Sequence, residues 1–494
     1  MSEAYRALEA RFARMSHIGG ALSILQWDHQ VMMPPGGSPV RAEQMATLRQ
    51  IAHELLTSAE TGELLEQAGQ ENGQLEPWQA ANLREMRRSH RRATAMPTDL
   101  VAALVRATTA AEMIWREARP RSDFAMLRPA LEEVVRLTRE EAAAKAEALG
   151  RAPYDALLDG YEPGIGTAAI DVLFEPLAAF LPDFLEQVLA HQVEPLPLEG
   201  HFPAAQQKVL GERLMRALGF DFANGRLDES LHPFCGGVPD DIRMTARYDE
   251  ADAATGLMAV LHETGHALYN AGLPKEWRHQ PVGKPRSFAL HESQSLLVEM
   301  QICRSRPFLA YLAPLLAESF GVGGAAYSVD NLYRQAIRVE RGLIRVDADE
   351  VTYPLHIVLR YRLEKALLAG ELEVADLPAA WNEGMCELLG IVPPDDRRGV
   401  LQDIHWPRGA FGYFPCYLVG ALLAAQLFDA AIVAIPRLWQ SIRRGDFGEL
   451  TDWLRKNVHA YASSLETTEL IRRATGPPLS INAFLDHIRT RYAN

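Results

Sequence analysis

Two histidines stand four residues apart, with a glutamate directly after the first, in the segment "VLHETGHALYN" at residues 260–270. On an α-helix, positions i and i+4 lie one above the other, so His262 and His266 can present two imidazoles to one ion. Glu263 can reach a water held by that ion but is badly placed to bind the ion itself. This is the HExxH pattern of zinc hydrolases, in which the glutamate acts as general base.

The pattern by itself fixes only three positions, and it also occurs on ordinary solvated helices. A catalytic zinc normally has three protein ligands and one open position. Glu292 lies in a second apolar-periodic segment, "FALHESQSLLVEM" at residues 288–300, at a separation that a helix-loop-helix hairpin can close. Alone, this segment is typical of a helix start, with Ser293 and Ser295 in solvent. Paired with the upstream HExxH, Glu292 is predicted to be the third metal ligand.

The neighbours of Glu292 offer further polar contacts to such a site. His291, Ser293 and Gln294 are predicted to orient Glu292 or to contact the substrate, and Glu299 to hold a ligating histidine from outside. The predicted cofactor is Zn²⁺, and Co²⁺ or Mn²⁺ can replace it in the same ligands. The sequence offers no convincing fourth ligand, which disfavours a closed, structural zinc site.

Further polar clusters interrupt otherwise apolar helical patterns, and Arg345 is the strongest substrate-binding candidate among them. Its guanidinium presents a planar fork that matches a carboxylate, although a structural ion pair with Asp241 or Asp347 fits the sequence equally well. Arg243 has the same two interpretations, and a supporting salt bridge is favoured for it; His232 is a further substrate-binding candidate. The clusters are "HPF" (232–234), "DIRMT" (241–245), "IRVDADE" (344–350) and "GVLQDIHWPRGAFGYFPCY" (399–417).

The last of these clusters contains three hydrogen-bond donors suited to catalysis, His405, Tyr413 and Tyr417. Each can stabilise the oxyanion that develops when water attacks a carbonyl, an effect on the order of 3 kcal/mol for one donor. The competing interpretation is packing, because aromatic side chains near glycines usually fill space.

The elements that must position these residues are predicted to be helices, because apolar residues recur at helical spacing along nearly the whole chain. Strand-like alternation is scarce, and a small β element is expected only near residues 231–250. A chain of 494 residues can bury a large core. We expect a mainly α fold with a single catalytic domain over residues 1–494.

Composition excludes several classes of protein. The formal net charge of -14 argues against a nucleic-acid-binding face. Four scattered cysteines without a CxxC pair favour a reducing compartment, and the first residues lack the apolar core of a secretory signal, so we expect a cytoplasmic protein. The apolar stretch at residues 417–435 carries Gln426 and Asp429, which predicts a buried core helix and no membrane span.

Six motifs in order, "HPF", "DIRMT", "HETGH", "HESQS", "IRVDADE" and "GVLQDIHW", resemble the thermostable metallocarboxypeptidase family typified by Taq carboxypeptidase. The resemblance implies a helical body split by a deep cleft, similar to neurolysin and angiotensin-converting enzyme, and a homodimer. It implies metal ligands at His262, His266 and Glu292, the general base at Glu263, and carboxylate binding by Arg345. The segment after "HESQS" departs from the family, with Leu296, Val298 and Met300 where Arg, Trp and Asn are usual.

The predicted function is therefore zinc-dependent hydrolysis that releases single residues from peptides with a free C-terminus. One alternative is an oligopeptidase that cuts internal bonds with the same metal site. A second is a non-catalytic peptide-binding protein that keeps a zinc ion. An aminopeptidase is disfavoured, because the sequence has no GxMEN-like motif for a free amine.

Overall fold

The computed structural model describes residues 2–70, 73, 75–230 and 232–492, and this part of the chain is mainly helical, as predicted. The chain divides into two compact units. Unit one consists of Met1–Ala93, Glu194–Ala336 and Leu423–Leu479, and unit two of Thr94–Val193, Ile337–Leu422 and Ser480–Asn494. The single catalytic domain over residues 1–494 stays a prediction.

Unit one contains the small sheet and the helices that surround it in the sequence. Its helices are α1 (Glu3–Val31), α2 (Ser38–Thr57), α3 (Ala59–Gln70), α4 (Pro77–Thr94), α9 (Ala204–Ala217), α10 (Ala253–Gly272), α11 (Phe288–Leu296), α12 (Arg306–Phe320), α13 (Val329–Ala336), α17 (Leu438–Arg443), α18 (Gly448–Asn457) and α19 (Thr467–Thr475).

The sheet has three strands, β1 (Gly225–Glu229), β2 (Phe234–Val238) and β3 (Asp241–Ala246), in the order β1-β3-β2. β3 pairs in parallel with β1 and antiparallel with β2. The expected β element near residues 231–250 is thus confirmed as the β2–β3 hairpin, whereas β1 begins earlier than predicted. Leu231, where the predicted region starts, lies outside the described residues.

The sheet packs directly on the helix that carries HExxH. Ile242 and Met244 of β3 share a buried cluster with Val260 and Ala267 of α10. Burial of such side chains is worth about 1.5–3 kcal/mol each, so the sheet fixes α10 from one side.

Two capped helices carry the predicted metal ligands. α10 begins after Asp252, whose carboxylate accepts hydrogen bonds from the backbone N–H groups of Ala254 and Thr255. α11 begins after Ser287, whose hydroxyl caps it in the same way. α11 continues into a π-helical segment, Leu297–Cys303, a rare geometry that is frequent at functional sites.

Gly265 allows α10 and α11 to lie unusually close together. A Cβ atom at this position would lie 2.4 Å from the carbonyl oxygen of Gln294 and 2.6 Å from the Cα of Ser295. Any side chain would therefore push the two helices apart. The glycine within "HETGH" is what brings Glu292 within reach of the two histidines.

In its described residues, unit two is built from helices. They are α5 (Thr98–Arg121), α6 (Phe124–Leu149), α7 (Pro153–Leu158), α8 (Thr167–His191), α14 (Tyr353–Ala369), α15 (Leu377–Leu389) and α20 (Asn482–Tyr492). A further helix, α16 (Pro415–Ala434), begins in unit two and ends in unit one.

α16 is the predicted apolar helix. Among the described residues it is the one helix whose length and composition suit a membrane span, and 72% of its most apolar window is buried inside the structure. The expectation of a buried core helix is therefore confirmed.

The scattered cysteines of the sequence are expected to be small buried residues, and the structure confirms this only in part. Cys303 and Cys416 are buried and Cys235 is half-buried, but Cys386 is exposed. The expectation of burial is wrong for Cys386, which lies on the solvent side of α15.

Candidate active site

The structure brings His262, His266 and Glu292 together in unit one. One ligand atom from each of the three lies within 4.8 Å of the other two, and among the described residues this is the one such cluster of potential metal ligands. The Nε2 of His262 lies 4.0 Å from Oε1 of Glu292, and the Nε2 of His266 lies 3.7 Å from Oε2. Ligands about 2.0–2.2 Å from a tetrahedral zinc ion are separated by comparable distances, so the residues fit the metal.

Glu299 holds His262 from the side opposite the cluster, as predicted. Its Oε2 lies 2.9 Å from Nδ1 of His262, and Arg304 donates to its Oε1 at 2.9 Å. Burial alone would lower the pKa of His262, but the hydrogen bond to Glu299 and the charges of Glu292 and Glu299 raise this pKa to about 10. The hydrogen bond commits the Nδ1–H to Glu299, and a metal ion at the cluster would displace the proton that these carboxylates stabilise on Nε2.

The second histidine is oriented by a short chain of imidazoles. The Nε2–H of His291 donates to Oδ1 of Asn270 at 3.2 Å, which leaves the Nδ1 of His291 as an acceptor. The Nδ1 of His266 lies 2.7 Å from this atom and 3.0 Å from the carbonyl oxygen of His291. Nδ1 of His266 therefore carries its proton, and Nε2 is free to bind a metal. Burial lowers the pKa of His266 well below its usual value, which favours the neutral form that a ligand requires.

In this arrangement His291 orients the ring of His266. Burial, followed by the charge of His262, lowers the pKa of His291 to about 4. Its ring contacts His266 and Asn270, so a contact with substrate stays a prediction.

Glu263 lies next to the first ligand on α10 and is 8% exposed. Burial is the main cause that raises the pKa of its carboxyl group to about 7; the charge of His262 opposes this rise, and the charges of Glu292 and Glu299 support it. A pKa near neutrality suits a general base, because proton uptake and proton release are then both easy.

The "HESQS" segment is not a solvated helix start. Ser293 and Ser295 are fully buried, which contradicts the alternative in which they face solvent. The hydroxyl of Ser293 donates to the carbonyl oxygen of Leu290, and Gln294 accepts from Nε2 of His459 at 2.9 Å. His459, from a turn after α18, was not predicted from the sequence; no motif surrounds it.

Leu296, Val298 and Met300, the positions that depart from the family pattern, are buried at 2%, 3% and 5% exposure. They form part of the apolar packing of α11 and the π-helical segment. Because Leu296 stands where the family usually has Arg, we expect the loss of a charge near the substrate cleft, and this stays a prediction.

In unit two, Arg345 is buried and forms an ion pair, but with neither of the partners considered from the sequence. Its Nε and Nη2 donate to Oδ1 of Asp403 at 3.1 and 2.8 Å. Its backbone N–H donates to Oε1 of Gln402 at 2.9 Å, and its guanidinium lies 4.7 Å above the ring of Tyr417. These contacts fix the position of the side chain.

Asp403 is shared by a second buried arginine, Arg360, whose Nε donates to Oδ2 at 2.7 Å. Burial would raise the pKa of Asp403, but the charges of Arg360 and Arg345 hold it well below its usual value. Asp403, Gln402 and Arg360 were not singled out from the sequence. The first two stand inside the quoted "GVLQDIHW" motif, which was the available signal.

The structure places the three predicted donors together beside Arg345. The Nε2 of His405 lies 3.2 Å from the hydroxyl of Tyr417, and its Nδ1 lies 3.6 Å from Oδ1 of Asp403. The ring of Tyr413 is 5.5 Å from that of His405 and 5.2 Å from that of Tyr417. Burial lowers the pKa of His405 to about 4, although Asp403 opposes the change, so the imidazole is neutral near pH 7.

The remaining two substrate-binding candidates, Arg243 and His232, lie in unit one at the sheet. Arg243 donates from Nε and Nη2 to Asp241 at 2.5 and 2.8 Å, and its guanidinium lies 4.5 Å over Trp27. This ion pair agrees with the interpretation favoured from the sequence, in which Arg243 forms a supporting salt bridge. His232 is exposed, and its carbonyl oxygen accepts from the hydroxyl of Ser230. Substrate binding by either residue stays a prediction.

Comparison with known proteins assigns the chain to a family. The family model described as Carboxypeptidase Taq (M32) metallopeptidase matches residues 7–492. Thermostable carboxypeptidase 1 of Thermus thermophilus is 39% identical, with 99% of this chain and 98% of that protein covered. The chain therefore belongs to the M32 metallocarboxypeptidase family.

Solved structures agree with this assignment. Metallocarboxypeptidase 1 of Trypanosoma cruzi is 40% identical, covers 100% of both chains and superposes with a TM-score of 0.98. The M32 carboxypeptidase of Deinococcus radiodurans is 34% identical, with a TM-score of 0.95 and coverage of 100% of this chain and 99% of the other. The prediction of a peptide-hydrolysing metallocarboxypeptidase is confirmed, and the non-catalytic alternative is disfavoured.

Proposed function

We propose that this carboxypeptidase uses zinc, held by His262, His266 and Glu292, to release single amino acids from the C-termini of peptides. The observation that carries the proposal is the convergence of these three ligand atoms within 4.8 Å. The set of two imidazoles and one carboxylate is typical of catalytic zinc sites that keep a position open for water. Cobalt or manganese is expected to substitute in the same ligands.

Bound zinc supplies a Lewis acid that polarises the scissile carbonyl and makes a water molecule nucleophilic near neutral pH. Glu263 accepts the proton of the attacking water and then delivers it to the leaving amine. Its buried carboxyl group, with a pKa raised to about 7, supports both transfers. Glu299 and His291 keep the imidazoles of His262 and His266 aimed at the metal.

Arg345 is the proposed binding residue for the terminal carboxylate of the substrate. Asp403 accepts from Nε and Nη2, so the contact with the substrate uses Nη1. The paired Asp403 and the ring of Tyr417 pre-organise the guanidinium, which reduces the entropy lost on binding. A requirement for a free carboxylate makes the enzyme an exopeptidase.

His405, Tyr413 and Tyr417 are proposed to donate hydrogen bonds to the substrate and to the developing oxyanion. Their clustering beside Arg345 supports this assignment. His232, Arg243 and His291 are proposed as further contributors to substrate binding, Arg243 through its salt bridge with Asp241.

Four further properties are proposed from the resemblance of the sequence motifs and from composition. They are a deep substrate cleft with a neurolysin-like arrangement, a single catalytic domain, a homodimeric assembly and a cytoplasmic location. The cysteines, which include no disulfide-bonded pair in the described structure, support the reducing compartment.

A mass-spectrometric time course tests the proposed reaction. One N-acetylated peptide is supplied with a free and with an amidated C-terminus, before and after chelation of the metal. Single losses from the free form only, abolished by the chelator and restored by zinc or cobalt, are expected. Internal fragments from both forms would identify an oligopeptidase instead.

Variants of two arginines test the carboxylate site. Arg345→Ala is expected to raise KM for the free peptide by about 10- to 150-fold, because a hydrogen bond to a charged group is worth about 1.5–3 kcal/mol. Arg338→Ala is the matched control, since Arg338 is a half-exposed arginine of the same unit that pairs with Glu340. Equal KM values for the two variants would refute the role of Arg345.

A further inference from the structure

Glu364, on α14, is a buried carboxylate outside the metal site and outside every motif used to predict function. Its side chain is fully buried. It accepts three hydrogen bonds, from the hydroxyl of Tyr154 at 2.7 Å, from Nε1 of Trp406 at 2.9 Å and from the backbone N–H of Gly412 at 3.0 Å. None of the three donors is charged.

Two of these donors lie next to residues proposed to contact the substrate. Trp406 directly follows His405, and Gly412 directly precedes Tyr413. Glu364 therefore bonds both ends of the segment 406–412, which we call the aromatic loop. The third donor, Tyr154, belongs to α7 and not to the loop.

Turn hydrogen bonds, the burial of Trp406 and Phe411 and the ion pair of Arg408 with Glu112 hold the aromatic loop, and Glu364 adds a bond at each of its two ends. The loop contains short turns, such as the bonds from the N–H of Gly409 to Trp406 and from the N–H of Ala410 to His405, and no continuous helix or strand. Gly412 has φ of +82°, and a Cβ atom there would lie 2.9 Å from the backbone nitrogen of Leu158. The close approach requires glycine, so position 412 offers only backbone groups, and its N–H donates to Glu364.

A carboxylate is an expensive choice for this position if only stability matters. An apolar side chain of similar size would avoid the cost of burying a charge. The charge on the same helix that acts on Glu364 is that of Arg360, which is committed to Asp403 and Gln402. What Glu364 supplies, and an apolar residue cannot, is a set of acceptors aimed at Trp406 and Gly412.

We propose that Glu364 is a positioning residue of the peptidase reaction, which bonds both ends of the aromatic loop and thereby sets the orientation of His405 and Tyr413 toward the substrate. The proposal rests on the function proposed above for His405 and Tyr413. It divides the three hydrogen bonds into two kinds: those from Trp406 and Gly412 act on catalysis, whereas the bond from Tyr154 acts on stability alone.

Three single variants of the full-length, zinc-loaded enzyme test this division. Glu364→Gln is expected to lower kcat/KM at least tenfold, and Trp406→Phe, which removes the indole N–H, at least threefold. Tyr154→Phe is the matched control, because it removes a bond to the same carboxylate; it should lower the melting temperature and leave kcat/KM within twofold. Zinc content should equal that of the wild type in every variant. If Glu364→Gln does not fold, Trp406→Phe and Tyr154→Phe still decide the question.

A mutant cycle in the combined His405→Gln and Tyr413→Phe background separates positioning from general stabilisation. In that background, Glu364→Gln should reduce kcat/KM by less than threefold, because both residues through which it acts are already changed. A full tenfold loss in that background, or equal losses for Tyr154→Phe and Trp406→Phe, would overturn the proposal. Wild-type kinetics for Glu364→Gln, together with impaired kinetics for Tyr413→Phe, would overturn the proposed role of Glu364 and leave the proposed function of Tyr413 intact. Wild-type kinetics for both Tyr413→Phe and His405→Gln would overturn the proposed function of these residues as well.

Discussion

Replacing Glu364 with glutamine should change how the stability of the protein depends on pH. Burial is the largest cause that raises the pKa of the Glu364 carboxyl from 4.5 to about 7, while its three donors and the charge of Arg360 oppose the rise. The groups that face it from other elements, Tyr154 on α7 and Trp406 and Gly412 in the aromatic loop, carry no charge near neutral pH.

The sign follows from the raised pKa. The folded state keeps the proton of Glu364 to a higher pH than the unfolded state does, so its stabilising contribution is complete below about pH 4.5 and is lost as pH rises through about 7. A pKa raised from 4.5 to about 7 is equivalent to roughly 3 kcal/mol, most of which is lost between about pH 5 and about pH 8.

Urea unfolding followed by tryptophan fluorescence, at several values between about pH 5 and about pH 8, measures this change. Glu263 has a pKa raised in the same direction, so the relevant quantity is the free energy of unfolding of the wild type minus that of Glu364→Gln. This difference should fall by roughly 2–3 kcal/mol across the range. A difference that stays constant with pH would show that Glu364 ionises normally in the folded state, and would refute the reasoning.

Three other variants test the cluster of proposed metal ligands and the cluster around Arg345. Glu263→Gln should lower kcat by roughly 10²–10⁴-fold while zinc content by mass spectrometry is unchanged, because only the general base is lost; loss of zinc would contradict that role. Glu299→Gln, which weakens the orientation of His262, should reduce zinc affinity about 10–100-fold in competition with a chelator, and an unchanged affinity would count against the contact. Asp403→Asn should destabilise the protein by about 3–5 kcal/mol and raise KM, since Arg345 is left buried without its partner; unaltered thermal unfolding would show that the ion pair contributes little.

The helical fold and the metal cluster follow from local patterns, which explains why the sequence predicts them. His262, Glu263 and His266 lie on one helix, so the helical repeat alone determines their relative positions. Glu292 requires only that the next helix pack back on α10. The sequence indicates that hairpin, but the close approach at Gly265 that allows it is visible only in the packed structure.

Contacts between residues far apart in the chain were harder to predict. The sequence offered Asp241 or Asp347 as a structural partner of Arg345. The partner is Asp403, 58 positions away, because the short helical turn Arg345–Asp347 and the "GVLQDIHW" segment meet in the folded unit. β1 was missed since "GRLDE" has no strand-like alternation, and it forms by pairing with β3.

The sequence by itself determined the helical class and the family, and it predicted the three metal ligands and the general base, because each of these depends mainly on residue type and spacing. Only the tertiary structure decided which groups orient those residues, such as Glu299 for His262, Asp403 for Arg345 and Glu364 for the aromatic loop. The physical reason is that a buried charge is stable only with its partners in place, and those partners come from distant elements that packing brings together.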